Sequence, residues 1–248
     1  MLKQDRLYEV RHEWTGDGQR WHRTHTGTRP GVTTVLSATE DQAWLAEWIE
    51  RVGFEEAERI RMTATDRGSL LHAMIEADLT SQPLVVPKYD IGEPDPDEIK
   101  TLWRKFRPVL DSITEVLACE LDVEWFIPGS DPLSAGNGYG GSIDCIAKVH
   151  GQPMILDWKS ATKTKRLDRI DNYRQQIAAY RRALEFTYPE FWEEHGGFEH
   201  CAIVIIPVSG PLQVLELEPD ELNAELISFD SRLAEFYAKR RLLQKEAA

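Results

Sequence analysis

Two hydrophobic periods divide the chain. Between Glu40 and Arg61 the apolar residues Trp44, Leu45, Trp48, Ile49, Val52, Ala57 and Ile60 recur at three- and four-residue spacing, which predicts an amphipathic helix. A second helix is expected over Arg67 to Leu79, with Leu71, Ile75 and Leu79 on one side, and a third over Asp97 to Leu117, irregular near Pro108. Pro83, Pro87, Pro94 and Pro96 mark the connector between them. From Cys119 the period becomes two: Cys119-Glu-Leu-Asp-Val-Glu-Trp-Phe-Ile127 alternates apolar and acidic residues, a strand signal. A glycine-rich loop, Gly129 to Gly141, follows. Gly141 to Val149 and Met154 to Lys159 read as a hairpin, Ile170 to Phe186 as a helix, Cys201 to Val208 and Leu212 to Leu217 as a strand pair, and Pro219 opens a final helix to about Leu243. At the N-terminal end, Tyr8 to Thr26 reads as two short strands around Thr15-Gly-Asp-Gly18. The succession predicts an α/β fold in one domain, 1–248, with a central mixed sheet flanked by helices. Its parts are an N-terminal hairpin (1–30), a helical part (31–118) and a sheet core (119–248).

The central hairpin carries the candidate chemistry. Centring its turn on Gly151 and Gln152 pairs Val149 with Met154, Ala147 with Leu156 and Cys145 with Trp158, an apolar face that belongs against a helix. The opposite face pairs Ile146 with Asp157 and Asp144 with Lys159, so two carboxylates and an ammonium converge. A one-residue slip would expose the apolar set. Adjacent carboxylates repel unless a cation lies between them, and hard ions such as Mg²⁺ or Mn²⁺ want such oxygen ligands. The backbone carbonyl of Trp158 is a further candidate ligand, and a lysine beside the ion suits charge growing on a phosphate. A structural Asp–Lys cross-strand pair is the alternative reading of the same residues.

Gly141-Ser-Ile-Asp144, Ile155-Leu-Asp157-Trp-Lys159 and Gln176-Ile-Ala-Ala-Tyr180, with Arg67-Gly-Ser-Leu-Leu-His72-Ala-Met-Ile-Glu76 upstream, resemble the motif set of the PD-(D/E)xK nuclease superfamily, RecB-like branch. Within the branch, Asp144-Cys-Ile-Ala, Asp157-Trp-Lys-Ser160 and Val32-Thr-Thr-Val-Leu36 look closest to the mitochondrial genome maintenance exonuclease and its phage and bacterial relatives. The resemblance runs from about Gly31 to Glu185. It implies a restriction-endonuclease-like core and a metal-dependent DNA exonuclease. Asp144 and Asp157 would be metal ligands, although Ile143 stands where the motif has proline. Lys159 would be the catalytic lysine and His72 would complete the metal site. Glu124 is the candidate for an acidic residue near the metal. Gln176 and Tyr180 share one helix face and would support the active site or the scissile phosphate. Glu76, one turn after His72, is placed to fix the ring's tautomer. The iron–sulfur cysteines of Cas4-like members are missing, so no cluster is expected.

Composition sharpens this. Lys and Arg number 29 against 42 Asp and Glu, a net charge of −13, which excludes a general nucleic-acid coat protein. Yet Lys159, Lys163, Lys165, Arg166, Arg169 and Arg174 crowd the stretch after the catalytic strand, a local reversal that suits a phosphate backbone. Trp44, Trp48 and Tyr139 are candidate stacking surfaces for unpaired bases, DNA with single strands or free ends being the expected partner. The three cysteines are widely spaced, no run approaches about 20 apolar residues, and Met1 to Val10 is polar. A cytoplasmic location follows as the expectation. The competing functions are an endonuclease of the same fold, a catalytically silent DNA- or partner-binding module, and a non-nuclease metal phosphohydrolase.

Overall fold

The computed structural model describes residues 11–14, 20–24, 26–41, 43–128 and 138–246. Strands β1 (Arg11–Trp14), β2 (Arg20–Thr24) and β3 (Gly27–Pro30) form an antiparallel sheet, one strand more than the expected hairpin. The Thr15–Gly18 turn lies outside the described residues. Helices α1 (Val32–Ala38), α2 (Ala43–Val52), α3 (Phe54–Thr80) and α4 (Pro96–Ser112) follow. Then come β4 (Ile113–Phe126), β5 (Gly138–Val149), β6 (Gln152–Lys163), α5 (Asp171–Thr187), α6 (Pro189–Glu194), β7 (His200–Ser209), β8 (Gln213–Leu217) and α7 (Pro219–Glu246). The five long-chain strands lie in the order β4-β5-β6-β7-β8, antiparallel except for β6 and β7, whose parallel pairing needs the α5–α6 crossover. This is the expected α/β mixed sheet with helices on both faces.

One face packs on α3 and α4: Cys145, Ala147, Met154, Leu156 and Trp158 meet Leu71, Ile75, Leu102 and Phe106. Ile146, Ile155, Ile203 and Ile205 on the other face meet α1, α5 and α7 through Val35, Ile177, Phe229 and Phe236. The apolar hairpin face does lie against helices. Its register, however, is Cys145↔Leu156 and Val149↔Gln152, two residues from the expected pairing. His150 and Gly151 form the turn with φ of 49° and 87°, the left-handed pair that a two-residue hairpin needs. Because strand side chains repeat every two residues, that slip kept the faces intact.

Three other boundaries moved. The helical break falls at Gly53, with φ of 88°, and α3 then runs unbroken through the polar stretch before Arg67. Exposed Glu56–Arg59 and Glu58–Arg61 pairs, rather than an apolar stripe, accompany its first turns. The third helix stops at Ser112 and Ile113 begins β4 at once. Tyr139, a candidate base platform, is fully buried against Phe229 and its hydroxyl donates to the Ala179 carbonyl. Trp44 is exposed and Trp48 half-buried. Among the described residues no helix is long and apolar enough to cross a membrane.

Candidate active site

The site sits where the sheet's pleat loses its phase. On β5, Ile143 belongs to the core on the α5 side, whereas Cys145 belongs to the core on the α3 side. On β4, Leu121 and Cys119 show the same reversal. Two residues apart in a regular strand, they would share a face. Glu120 and Asp144 lie between these two cross-strand pairs, Cys119↔Cys145 and Leu121↔Ile143. Glu120 takes φ of 46°, a left-handed conformation that costs a non-glycine residue roughly 1–3 kcal/mol and marks the turn-over point. The β5–β6 ladder ends at Cys145↔Leu156. Beyond it the strands part, and Asp144 Oδ2 accepts the Trp158 N–H at 2.7 Å in place of a ladder bond.

Groups from both faces meet in this opening. From α3, His72 brings Nδ1 to 3.6 Å from Asp144 Oδ1 and 3.9 Å from Glu120 Oε1. Its Nε2 lies 3.1 Å from the Trp158 carbonyl, to which it donates, so the ring is oriented by backbone and Nδ1 faces the carboxylates. Burial opposes a charge on His72, but Asp144 and Glu120 outweigh it and push the imidazole up to about 9. Glu76 lines the cleft beside His72 and Glu120, with Gly68, Ser69 and Ala73, in a cavity of about 380 Å³. Burial, then the Glu120 charge, raises its pKa.

From β6, Asp157 and Lys159 project toward α5. Lys159 Nζ lies 2.6 Å from Asp157 Oδ2, while Gln176 Nε2 donates to Oδ1 at 3.0 Å. Asp157 is pushed up to about 6, by burial first and by Asp144, against the pull of Lys159. Burial raises Asp144 as well, against His72 and Lys159. Lys159 stays charged: the two carboxylates overcome its desolvation, and the Tyr173 ring lies 5.4 Å from its ammonium. Gln176 also donates to the Tyr180 hydroxyl at 3.3 Å. Tyr180 packs on Gly141, where a Cβ would come within 2.4 Å of its ring, so that glycine is needed for the helix to hold Gln176 against Asp157. Gln176 and Tyr180 are both nearly buried, so they orient Asp157 rather than face a substrate.

Sequence expectations separate here. Asp144, Asp157, Lys159, His72, Gln176 and Tyr180 come together. Glu124 does not: four residues along β4 from Glu120, roughly 13 Å by strand rise, it accepts from Arg29 at 2.7 Å and from Thr26 at 2.8 Å. The acidic residue at the cluster is Glu120, which periodicity could not single out among the alternating acids of β4 because the β4–β5 register depends on a long loop. The Trp158 carbonyl, expected to face an ion, is engaged by His72, and this carbonyl, not Glu76, orients the ring. Of the basic stretch, Lys165, Arg166 and Arg169 line a separate groove, Lys163 closes β6, and Arg174 donates to the Leu167 carbonyl.

His72, Glu120 and Asp144 offer ligand atoms that all lie within 4.8 Å of one another. One imidazole nitrogen with carboxylate oxygens fits a divalent cation of the Mn²⁺ or Mg²⁺ kind. Asp157, whose pKa is raised by burial and by the Asp144 charge, adds a further carboxylate beside them.

No family model and no curated protein matches the chain. Among solved structures it is similar to a protein from Eubacterium rectale named as a putative exonuclease, at 13% identity and a TM-score of 0.46, over 71% of this chain and 68% of that one. It is also similar to a protein named SSO0001, at 16% identity and a TM-score of 0.36, over 71% and 74% of the two chains. Likeness at this level leaves the functional argument to the site's own residues.

Proposed function

We propose that this chain is a divalent-metal-dependent nuclease that hydrolyses phosphodiester bonds in DNA as an exonuclease, acting on free ends or unpaired strands. One observation carries the reading: carboxylates from three strands, a histidine from one face and a lysine from the other converge where the sheet opens. A structural Asp–Lys pair accounts for none of the strain at Glu120 or the strand parting at Asp144. His72, Glu120 and Asp144, with Asp157 beside them, would hold the ion. When bound, it would supply a Lewis acid for a phosphoryl oxygen and lower the pKa of water. The remaining work falls to the chain. Gln176 fixes the Asp157 carboxylate by bonding Oδ1 and leaving Oδ2 toward Lys159. Lys159, held charged in a water-poor site, is the group that stabilises negative charge accumulating on the phosphate. The basic residues after β6 supply the phosphate contacts that an acidic chain otherwise lacks.

The test uses end-labelled linear and circular DNA with Mg²⁺ or Mn²⁺. Cleavage that needs the ion and a free end is expected. Activity that survives EDTA removes the metal-dependent reading. Nicking of covalently closed circles turns it to an endonuclease, and binding without cleavage turns it to a silent module.

A further inference from the structure

A second lined space lies outside the metal cluster. It is a groove of about 820 Å³ between the α1–α2 turn (Thr39, Glu40, Asp41, Trp44) and the segment that joins β6 to α5 (Thr164, Lys165, Arg166, Arg169, Asn172). Its floor is Arg232 of α7, whose guanidinium is spent on structure: it bonds the Leu36 carbonyl, Thr39 Oγ1 at 2.8 Å, Asn172 Oδ1 at 2.5 Å and Gln175 Oε1 at 3.0 Å. The two walls are therefore held at fixed separation. Within the groove the charges divide into used and unused. Arg166 is paired with Asp168 at 2.6 Å, Asp41 accepts the Ala43 N–H at 2.9 Å, and Glu40 and Asp171 complete the acidic side of the lining. Lys165 and Arg169 make no side-chain hydrogen bond or close ion pair among the described residues, Asp168 attracting Arg169 only at longer range. Facing them is Trp44, 56% exposed on a helix with no buried residue.

We infer that this groove binds an unpaired stretch of the nucleic-acid substrate, with the Trp44 indole stacking a base while Lys165 and Arg169 contact the flanking phosphates. The inference rests on the nuclease reading above and deepens it. An exposed aromatic beside unpaired cations is the arrangement that holds single strands, because every base has a face to stack while the backbone needs only charge. A duplex keeps its bases stacked on one another and offers none to an indole. An acidic peptide would satisfy Lys165 and Arg169 but leaves no use for a flat aromatic. The groove is also connected to the cluster. Asn172 and Gln175 line it from the turns of α5 that hold Tyr173 beside Lys159 and Gln176 on Asp157. Lys165 lies six residues past Lys159, at most roughly 20 Å of extended chain. A strand cleaved at the metal thus spans several nucleotides before reaching Trp44.

The experiment measures anisotropy of a labelled oligo(dT) of about 16 nucleotides, a length within single-strand site sizes, with EDTA present so that nothing is cut. Wild type, Trp44→Ala and Trp44→Phe are compared on this probe and on a blunt duplex. Loss of one stacked base should weaken Trp44→Ala roughly 5- to 100-fold on the single strand, with Trp44→Phe retaining most of the affinity and duplex binding unchanged. Equal affinity of wild type and Trp44→Ala for oligo(dT), or an equal loss on duplex, overturns the inference. The nuclease reading is judged separately, by whether wild type with Mn²⁺ hydrolyses bis(4-nitrophenyl) phosphate, a diester too small to reach the groove.

Discussion

Two buried ion pairs stand on neighbouring parts of one sheet and behave as opposites. Arg29–Glu124, with side chains 4% and 3% exposed, is closed on itself: Glu124 accepts from Arg29 and from the Thr26 hydroxyl, its backbone N–H and carbonyl are bonded by Thr187, and the Arg29 guanidinium lies 4.1 Å from the Phe126 ring. It ties the N-terminal sheet to β4. Lys159–Asp157, at 18% and 2%, is crowded by a second carboxylate: burial first, and then Asp144, push the Asp157 carboxyl up to about 6 despite the ammonium 2.6 Å away. A buried pair whose two charges cancel is a fastener, whereas one crowded by a further carboxylate is a place where another cation belongs. Both are buried acid–base pairs, so the surrounding charge, and not burial, separates structure from site.

The widest gap between them should appear in stability. Arg29→Met leaves the Glu124 charge buried without its cation and should cost about 3–5 kcal/mol in urea unfolding. Asp157→Asn at pH 5 should cost less than about 1 kcal/mol, because the wild-type carboxyl is already neutral below its raised pKa and asparagine mimics it. Equal losses would erase the distinction. Lys159→Met tests the opposite property. It should lower turnover by roughly 10²–10³-fold while oligonucleotide affinity in EDTA stays near wild type, since its charge serves the transition state. A variant that cuts at wild-type rate contradicts the role given to this pair.

His72 sharpens the contrast through pH. Its folded pKa, about 9, lies above the 6.5 of an ordinary imidazole, so the folded protein holds the proton more tightly than the unfolded one. The stability it contributes is complete below about pH 6.5 and is lost as pH rises through 9. In EDTA, the advantage of wild type over His72→Gln in urea melts should shrink across that window. Mn²⁺ titrations should run the other way, with affinity rising from pH 6.5 to 9 as the ion displaces the proton. A pH-independent Mn²⁺ affinity would mean that His72 is not a ligand.

How much of this was legible depends on the range over which each residue is specified. Asp157 and Lys159 were readable because strand faces depend only on a period of two, which survived a two-residue error in register, whereas Asp144 stands where that period fails. Gln176 and Tyr180 were readable as an i, i+4 pair on one helix. Glu120 was hidden behind Glu124, because choosing between them requires the β4–β5 register across residues 127–137. The backbone reversal at Glu120 breaks the alternation that identified the strand. α2 shows the converse failure. Its apolar spacing is regular, yet no residue on it is buried: the helix packs on α3 and lines the groove with Trp44. Periodicity reports a face, and only the fold says whether anything covers it.

The smallest effect concerns the groove cations, and it extends the same rule from buried pairs to exposed ones. Lys165 and Arg169 make no close ion pair among the described residues, Asp168 attracting Arg169 only at longer range, whereas Arg166 is held by Asp168 at 2.6 Å. A cation that neutralises a phosphate releases condensed counterions, and each such contact contributes roughly 0.7 to the slope of log affinity against log salt on a single strand. Lys165→Ala with Arg169→Ala should therefore flatten that slope by about 1.4 units, and adding Lys163→Ala should bring the change to about 2 if the end of β6 also touches the strand. Arg166→Ala should change it by much less than 0.7, because Asp168 already holds its charge. The ion's own affinity should not move in any of these variants, since none removes an oxygen or imidazole ligand. Salt titrations of oligo(dT) binding in EDTA read all three. An Arg166→Ala slope as changed as that of Lys165→Ala would show that an exposed partner does not withdraw a cation from the backbone, and that such cancellation holds only where water is excluded.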